Sequence, residues 1–363
     1  MDDGPVQVLP GWLLWFAACR ATIGPRGDRQ REGGARVNQG VHPWVMDRRD
    51  RVTFGLQAFA HVDDPLPGAS VVNAGQLADQ LGLDAFYIGD HPAKSTDPWT
   101  HLSALAVTTE RVWLGSVVNC ILYRNPVVLA RLASDLDHLS GGRAMLGIGI
   151  GWDVPEFAAL GIDYPKTSVR QEMLEETVEI IEGVWGDEPF SWAGQHYQVE
   201  NARIVPPPVQ RARPPLMIAG AGERVTLRQV ARYADACNFG PSPQIGGVVT
   251  LNDVRRKFDV LRRHCEEVGR EYDAILRTHF TPWLMVAETQ AAAKEKLRRY
   301  YPNGLTEQQE SSRIHGSPEQ VAGYYRSLVD AGVQHFVVQS LDANDHETFQ
   351  LLADRVAPLV QTG

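Results

Sequence analysis

Short apolar runs alternate with amphipathic segments along the chain from Val52 onward. The apolar runs predict eight strands, at residues 52–59, 85–89, 112–118, 144–150, 215–219, 236–239, 278–286 and 333–339. The intervening segments have helical spacing and helix-start signals; Asn125 and Pro126, for example, precede Leu132 and Leu136, which lie one helical turn apart. Such alternation is typical of parallel β/α proteins, and eight pairs predict an α/β fold of the (β/α)8 TIM-barrel type with insertions.

A doubly wound sheet is the alternative arrangement of such pairs. It is disfavoured because residues 60–67, which follow the first predicted strand, contain no GxGxxG turn.

Two insertions are predicted: residues 185–214 suggest a small hairpin, and residues 299–316 form a long loop. Because the first 50 residues lack a periodic apolar face, we expect a disordered N-terminal extension at 1–50 and one barrel domain at 51–363.

The composition and the cysteine pattern indicate which binding partners and which cellular compartment to expect. With 44 acidic against 35 basic residues, the formal charge is -9 at pH 7, so binding to nucleic acid or anionic lipid is not expected. The apolar run at residues 11–19 is too short to span a membrane. The 4 cysteines form no CxxC pair and no Cys/His cluster, which predicts reduced thiols, no metal site and a cytoplasmic location.

Several short strings occur in a fixed order between residues 52 and 359. They are Gly89-Asp90-His91-Pro92, Tyr123-Arg124-Asn125-Pro126, LSGGRAMLGIGIGW at 139–152, EFAALG at 156–161, YADA at 233–236 and GSPE at 316–319. In this combination the chain resembles the luciferase-like monooxygenase superfamily, and within it the F420-dependent oxidoreductases. The resemblance implies a cofactor ring at the carboxyl ends of the barrel strands, where TIM barrels place their active sites. The implied cofactor is coenzyme F420, with flavin mononucleotide (FMN) as the alternative.

Asp90 and His91 follow the second predicted strand, so both are expected at the mouth of the barrel. An imidazole at that position can exchange a proton near neutral pH. The resemblance implies that His91 is the catalytic residue and that Asp90 contributes to the cofactor site. Considered without the resemblance, a loop-capping aspartate beside a solvated histidine explains the same pair.

The third predicted strand continues through Ser116, Val117 and Asn119 toward the Asn125-Pro126 helix start. The resemblance implies that this strand carries a bulge with a cis peptide bond at Ser116–Val117, and that all three residues contact the cofactor. The alternative is a regular buried strand.

Glycines alternate along the fourth predicted strand. Gly149 and Gly151, together with Gly147, face the same side of it. Their missing side chains either make room for the cofactor ring, which would place Gly149 and Gly151 in its site, or ease packing.

A small-residue turn follows the fifth predicted strand. It contains Gly220, Ala221 and Gly222, ahead of a helix expected to start at Glu223. Small residues let backbone N–H groups approach a phosphate at a helix start, which predicts that this turn binds the cofactor phosphate. A purely structural turn is the alternative.

The leading functional prediction is hydride transfer between F420 and a small organic substrate, with His91 as proton donor or acceptor. The alternative is an FMN-dependent monooxygenase that uses reduced flavin and oxygen. A non-catalytic flavin-binding protein is disfavoured because His91 is retained in a pocket lined by glycines, and nothing in the spacing of Asp90 and Glu156 supports a hydrolase that uses both carboxylates. Glu156 is interpreted as an exposed carboxylate at a helix start, with polar lining of the pocket as the alternative. Trp152 stands where the glucose-6-phosphate dehydrogenases that this chain resembles carry a glutamate, so another substrate is expected. A small molecule is the expected partner, and a homodimer is left open.

Overall fold

The computed structural model describes residues 40–61, 63–210, 213–242, 246–281, 283–301, 303–306 and 313–361. Its strands are β1 (Thr53–Ala58), β2 (Ala85–Ile88), β3 (Trp113–Cys120), β4 (Ala144–Gly149), β5 (Phe190–Ala193), β6 (Gln198–Ala202), β7 (Leu216–Ala219), β8 (Ala236–Phe239), β9 (Leu276–Thr281), β10 (Leu284–Val286), β11 (Ile314–Gly316) and β12 (His335–Ser340). Its α-helices are α1 (Pro43–Met46), α2 (Pro67–Gln80), α3 (Pro98–Thr108), α4 (Pro126–Ser140), α5 (Val154–Leu160), α6 (Thr167–Val184), α7 (Thr226–Tyr233), α8 (Leu251–Val268), α9 (Gln290–Tyr300), α10 (Pro318–Val329), α11 (His346–Leu351) and α12 (Ala357–Gln361). A 3-10 turn at Tyr272–Ala274 precedes β9, and a π-helical segment at Leu352–Val356 joins α11 to α12.

Eight of these strands close into a barrel in the order β1-β12-β9-β8-β7-β4-β3-β2. Neighbouring barrel strands pair in parallel; Gly55 of β1 lies opposite Ala85 of β2, for example, and Phe86 lies opposite Leu114 of β3. Closure pairs every barrel strand on both sides and leaves no open edge. The (β/α)8 barrel predicted from the sequence is therefore confirmed, and the doubly wound alternative, which needs an open sheet, was wrong.

The predicted strands match the observed ones with one exception. The apolar run at 278–286 contains two strands, because β9 leaves the barrel after Thr281 and β10 pairs in parallel with β11 outside it. Trp283, between the two strands, has a φ of 52°, which interrupts the extended backbone. The available signal in the sequence was Pro282, since proline cannot donate to a strand ladder. The predicted hairpin insertion is present as the antiparallel pair β5-β6.

Alternate residues of the barrel strands belong to two apolar layers, as expected for side chains that project to opposite faces of a sheet. One layer fills the barrel interior and includes Ala85, Tyr87, Met145, Met217, Ala236, Leu276 and Val337. The other packs against the surrounding helices and includes Phe54, Leu56, Leu114, Leu146, Ile148, Ile218 and Phe336. The runs read as continuously apolar in the sequence because both faces of each strand are buried.

A short amino-terminal helix closes the end of the barrel where the strands begin. Helix α1 follows His42, whose Nδ1 accepts the Trp44 N–H at 3.1 Å, and it buries Trp44 and Val45. Trp44 meets the rings of Trp113 and His335, the first residues of β3 and β12, edge-on. These contacts make α1 a plug for the amino-terminal end of the barrel.

The plug extends the barrel domain to the amino-terminal side of the expected boundary at residue 50. Arg48 is buried and donates from Nε to Asp84 Oδ2 at 2.8 Å, and His42 Nε2 lies 2.9 Å from the carbonyl oxygen of Arg213. The expected disordered extension at 1–50 was therefore wrong for residues 40–50. The sequence hides the plug because two apolar residues flanked by polar ones form no periodic pattern; residues 1–39 lie outside the described residues.

The helix start predicted at Asn125 is confirmed, and the one predicted at Glu223 was wrong. The Asn125 side chain caps α4 by accepting the Val127 N–H at 2.9 Å, and Ser317 with Gln320 forms the capping box of α10. The helix expected at Glu223 is α7, which begins instead at Thr226. None of the helices in the described ranges is long and apolar enough to cross a membrane.

Candidate active site

The residues singled out by the sequence meet at one end of the barrel. Asp90 and His91 follow β2, residues 116–119 lie in β3, Gly149 ends β4, and Gly220 follows β7. These four strands are consecutive neighbours in the barrel. Because all eight barrel strands are parallel, their carboxyl ends face the same side, and these residues border one mouth.

Asp90 is a buried carboxylate at this mouth, and only one of its two oxygens accepts hydrogen bonds from the described residues. Its Oδ2 accepts from Arg124 Nη1 at 2.6 Å and from the Cys120 N–H at 3.2 Å, while Arg124 Nη2 also donates to Asp97 at 2.8 Å. Among the described residues, Asp90 Oδ1 has no hydrogen-bond partner although it is buried. Burial raises the pKa of Asp90, and the charge of Arg124 opposes this rise. A buried oxygen without a protein partner is available to a ligand.

His91 is partly exposed at the mouth and is held by the buried carboxylate of Glu156. His91 Nδ1 lies 2.7 Å from Glu156 Oε2, which also accepts the Tyr123 hydroxyl at 3.0 Å. Glu156 Oε1 accepts the Ala93 N–H at 3.1 Å. Burial raises the pKa of the Tyr123 hydroxyl, and the electrostatic effect of Cys120 and the hydrogen bond to Glu156 raise it further. The Tyr123 hydroxyl therefore stays protonated. In the described part of the chain, Nε2 of His91 has no hydrogen-bond partner.

Sequence reasoning missed Glu156 and Tyr123. Glu156 was expected to be exposed, but α5 presents one face to the barrel, and Asp153, Glu156 and Phe157 are all buried on it. The ring of Phe157 packs 5.0 Å from that of Tyr123, centroid to centroid. The available signal was the helical spacing of these three residues, which places the carboxylate on the same face as a core phenylalanine.

Trp152 and Lys94 form the rim beside His91. The Trp152 side chain is 46% exposed, and its ring meets that of His91 edge-on with centroids 5.6 Å apart. Lys94 forms an ion pair with Asp153, and its ammonium lies 5.9 Å from the centre of the Trp152 ring. An exposed indole next to the candidate proton carrier offers an apolar surface to a substrate.

The third barrel strand bulges at the mouth. Ser116 pairs with Leu146 and Asn119 with Ile148, so three steps along β3 match two along β4. The bulge contains a cis peptide bond at Val117–Val118. The expected position of this bond, Ser116–Val117, was therefore wrong by one residue. The reason is that Ser116 still belongs to the regular ladder, and the irregular backbone begins after it.

Buried polar groups surround the bulge. Gln57 of β1 donates from Nε2 to the Val117 carbonyl oxygen at 2.8 Å. Asn119 donates from Nδ2 to the Gly147 carbonyl oxygen at 3.0 Å. Within the described ranges, Asn119 Oδ1 and Ser116 Oγ are buried without a partner. Along with Asp90 Oδ1, they are polar atoms at this end of the barrel whose hydrogen-bonding capacity is unused.

The glycines of β4 make room for the bulge. A Cβ at Gly147 would lie 2.3 Å from the Ser116 carbonyl oxygen, and one at Gly149 would lie 2.8 Å from Val118 Cγ2. Gly151 has a φ of 75°, a conformation that favours glycine. These observations support the packing explanation for the alternating glycines, so a cofactor contact at Gly149 or Gly151 would have to use the backbone.

The turn after β7 contains two backbone donors without an acceptor in the described part of the chain. Gly220 has a φ of 134°, and the N–H groups of Ala221 and Gly222 have no acceptor among the described residues. Helix α7 begins at Thr226 without a side-chain cap from Val225. These two N–H groups lie in the turn four and five positions before Thr226, and unpaired backbone donors in a small-residue turn ahead of a helix suit an anion.

Glu223 beside this turn does not make it acidic. It forms ion pairs with Arg256 and with Lys257, whose Nζ lies 2.8 Å from Glu223 Oε1. The hydrogen bond from Lys257 is the largest cause that lowers the pKa of Glu223. Arg256 also pairs with Asp253, so two cations face two carboxylates, and the charge of Glu223 is balanced within this cluster.

His91, Asp153 and Glu156 also have the residue types of a metal site, with potential ligand atoms within 4.8 Å of one another. Each carboxylate is already engaged, since Tyr123 and Ala93 donate to Glu156 and Lys94 pairs with Asp153. The close approach of these three side chains is therefore explained by their hydrogen bonds and ion pairs within the protein, without a metal ion.

A closed parallel barrel with a histidine–carboxylate pair at the carboxyl ends of its strands defines a TIM barrel whose candidate active site lies at that mouth. Residues 46–363 match the model of the luciferase-like monooxygenase family, and the chain belongs to this family.

Its relatives are oxidoreductases, and so is this chain. It is 30% identical over 321 residues, 78% of this chain and 90% of the relative, to an F420-dependent glucose-6-phosphate dehydrogenase of Kineococcus radiotolerans. The F420-dependent tetrahydromethanopterin reductase of Methanopyrus kandleri shares the fold with a TM-score of 0.71 at 19% identity, covering 85% of this chain and 99% of that one. The oxygenating constituent of 3,6-diketocamphane monooxygenase from Pseudomonas putida, in complex with FMN, shares it with a TM-score of 0.67 at 17% identity, covering 85% and 98%.

Proposed function

We propose that this chain is an F420-dependent oxidoreductase that transfers a hydride between the deazaflavin and a small organic substrate, with His91 as proton donor or acceptor. The observation that carries the proposal is the position of His91: its Nε2 has no partner among the described residues, beside a mouth with unused polar atoms. The F420-dependent name of the relative from Kineococcus radiotolerans supports the choice of cofactor. When bound, F420 supplies two-electron hydride chemistry and does not activate oxygen.

The residues present fit such a cofactor at two places. The N–H groups of Ala221 and Gly222 suit a phosphate, and the neighbouring Glu223 carboxylate does not oppose it because Arg256 and Lys257 balance its charge. Asp90 Oδ1 and Asn119 Oδ1 are buried acceptors that suit the polar edge of a heterocyclic ring. We assign Ser116, Val117, Asn119, Gly149 and Gly151 to the same ring site, the glycines through their backbone.

His91 performs the proton step in this proposal. An alcohol that is oxidised by loss of hydride from carbon must also lose its hydroxyl proton, and an imidazole with a free nitrogen is the base suited to accept it. In the reverse direction the same nitrogen returns the proton to the carbonyl oxygen. Asp90 and its Arg124 partner hold the loop that carries His91.

An FMN-dependent monooxygenase is the second candidate. The complex of the diketocamphane monooxygenase with FMN favours it, because that protein shares the barrel. The phosphate turn would serve either cofactor.

Side-by-side titration of the full-length protein with F420 and FMN, followed by fluorescence, distinguishes the two candidates. The proposal predicts that F420 binds at least about tenfold more tightly, a difference of about 1.4 kcal/mol. Tighter binding of FMN, together with oxygen uptake when reduced FMN is supplied, would replace the proposal with the second candidate.

A further inference from the structure

The hydrogen bonds of Glu156 restrict where the protons around His91 can lie. Glu156 Oε1 faces the Ala93 N–H, a group that can only donate. Glu156 Oε2 faces the Tyr123 hydroxyl, which stays protonated for the reasons given above. A proton on Oε1 would face the Ala93 N–H, and a proton on Oε2 would make that oxygen a poorer acceptor for the Tyr123 hydroxyl. The arrangement is therefore satisfied best by an ionised Glu156 that accepts from every neighbour.

An ionised Glu156 requires His91 to donate. At 2.7 Å, His91 Nδ1 and Glu156 Oε2 are in hydrogen-bond contact, and a carboxylate without a proton offers only an acceptor. The proton must then lie on Nδ1, so the neutral ring carries its lone pair on Nε2. The other charged or titratable groups around this loop include Lys94, which is paired with Asp153, and Arg124, which is paired with Asp90 and Asp97; the Tyr123 hydroxyl is protonated.

The carboxylate is held in a fixed position. Asp153 caps α5 by accepting the Glu156 N–H, which anchors the backbone of Glu156. The neighbouring Phe157 is buried between the rings of Tyr123 and Tyr164, at centroid distances of 5.0 and 4.7 Å. A buried side chain on an anchored helix turn loses little further freedom when it orients its partner.

We propose that Glu156 is a positioning residue that holds neutral His91 in the Nδ1–H tautomer, so that Nε2 is the atom that exchanges the proton with the substrate. This inference rests on the proposed role of His91. When a substrate alcohol is oxidised, its O–H proton moves to Nε2, and the O–H electron pair forms the carbonyl as hydride leaves carbon for F420. The resulting imidazolium is stabilised by the ion pair that its Nδ1–H makes with Glu156.

Nitrogen-15 NMR of the full-length protein tests the tautomer directly. The chain has 11 histidines, so the His91 signal is identified as the one that disappears in His91→Gln. In the wild type, at a pH where the ring is neutral, we expect Nδ1–H to exceed Nε2–H by about tenfold or more, the preference that a charge-assisted hydrogen bond supplies. In Glu156→Gln this preference should disappear, because the amide can donate to Nδ1.

Two controls separate orientation from a general structural effect. Glu172→Gln changes a carboxylate that also contacts a histidine, His196, at 3.0 Å, but among the described residues it has no hydrogen bond or ion pair with His91 or Glu156; the His91 signal should not change. Tyr123→Phe removes one donor to Glu156 without altering the Nδ1 contact, so the Nδ1–H tautomer should persist. Circular dichroism and F420 titration of each variant report folding and cofactor binding separately.

Predominant Nε2–H in the wild type, or an unchanged Nδ1–H preference in Glu156→Gln, would overturn the inference. If Glu156→Gln does not fold, the wild-type spectrum decides alone. A protein that shows the expected tautomer but binds FMN and not F420 would refute the proposed function and leave the role of Glu156 intact, because the tautomer is measured without cofactor.

Discussion

Replacing Trp44 with alanine tests whether the amino-terminal plug contributes to the stability of the barrel. Trp44 is 2% exposed and lies on α1, outside the region in which the eight strands and their helices follow one another. It contacts Trp113 at a centroid distance of 6.3 Å, and the guanidinium of Arg48 lies 5.0 Å from its ring centre. The substitution removes a large buried surface from the end of the barrel interior.

The size of the effect follows from these contacts. Removing a buried tryptophan side chain costs about 3–5 kcal/mol, which includes the cavity that is left behind. The Trp44 indole N–H has no partner among the described residues, so no hydrogen bond is lost and the lower value of about 3 kcal/mol is expected. For a domain of this size each kcal/mol lowers Tm by about 2 °C, which predicts a decrease of about 6 °C.

Thermal unfolding followed by circular dichroism measures this difference, with Met46→Ala as the matched control. Met46 is on the same helix but is 56% exposed, so its replacement should change stability by less than about 0.5 kcal/mol. If Trp44→Ala and Met46→Ala have the same Tm, then α1 does not stabilise the barrel, and the buried contacts described here contribute nothing measurable.

Three further predictions concern the site and the barrel. His91→Ala should lower turnover by about 10²- to 10⁴-fold while F420 affinity, measured by fluorescence titration, stays within about twofold; equal turnover would remove His91 from the proton step. Gly222→Asp should weaken F420 binding by about tenfold or more, because it places a negative charge at the turn. Gly222→Ala is the control, since it adds only a Cβ, which would lie 2.8 Å from Thr226 Oγ1. Equal F420 affinities of the two variants would show that this turn does not bind the phosphate. Burial lowers the pKa of His335 to about 4, below its ordinary value of about 6.5, so the folded state binds fewer protons and stability should fall as the pH drops from about 6.5 to about 4. His335→Asn should reduce this fall in Tm; an identical pH profile would contradict the assignment.

The strand count and the end of the barrel that carries the site were predictable from local patterns. Both faces of each barrel strand are buried, so each strand appears in the sequence as an apolar run, and the runs recur between helices. A polar pair directly after such a run, as with Asp90 and His91, must lie at the carboxyl end of a strand. The hairpin insertion and the cap at Asn125 were predictable for the same reason, since their signals lie within a few residues of one another.

Contacts between distant parts of the chain were decided only by the tertiary structure. His91 and Glu156 are 65 positions apart, and the burial of Glu156 depends on the face that α5 turns toward the barrel. The plug depends on Trp44 meeting Trp113 and His335 across much of the chain. The register of β3 against β4 set the bulge one residue later than expected. The sequence by itself determined the elements, because their signals are local. The partner of the histidine and the closure of the barrel end are set by packing between elements, and that packing is not encoded in any local pattern.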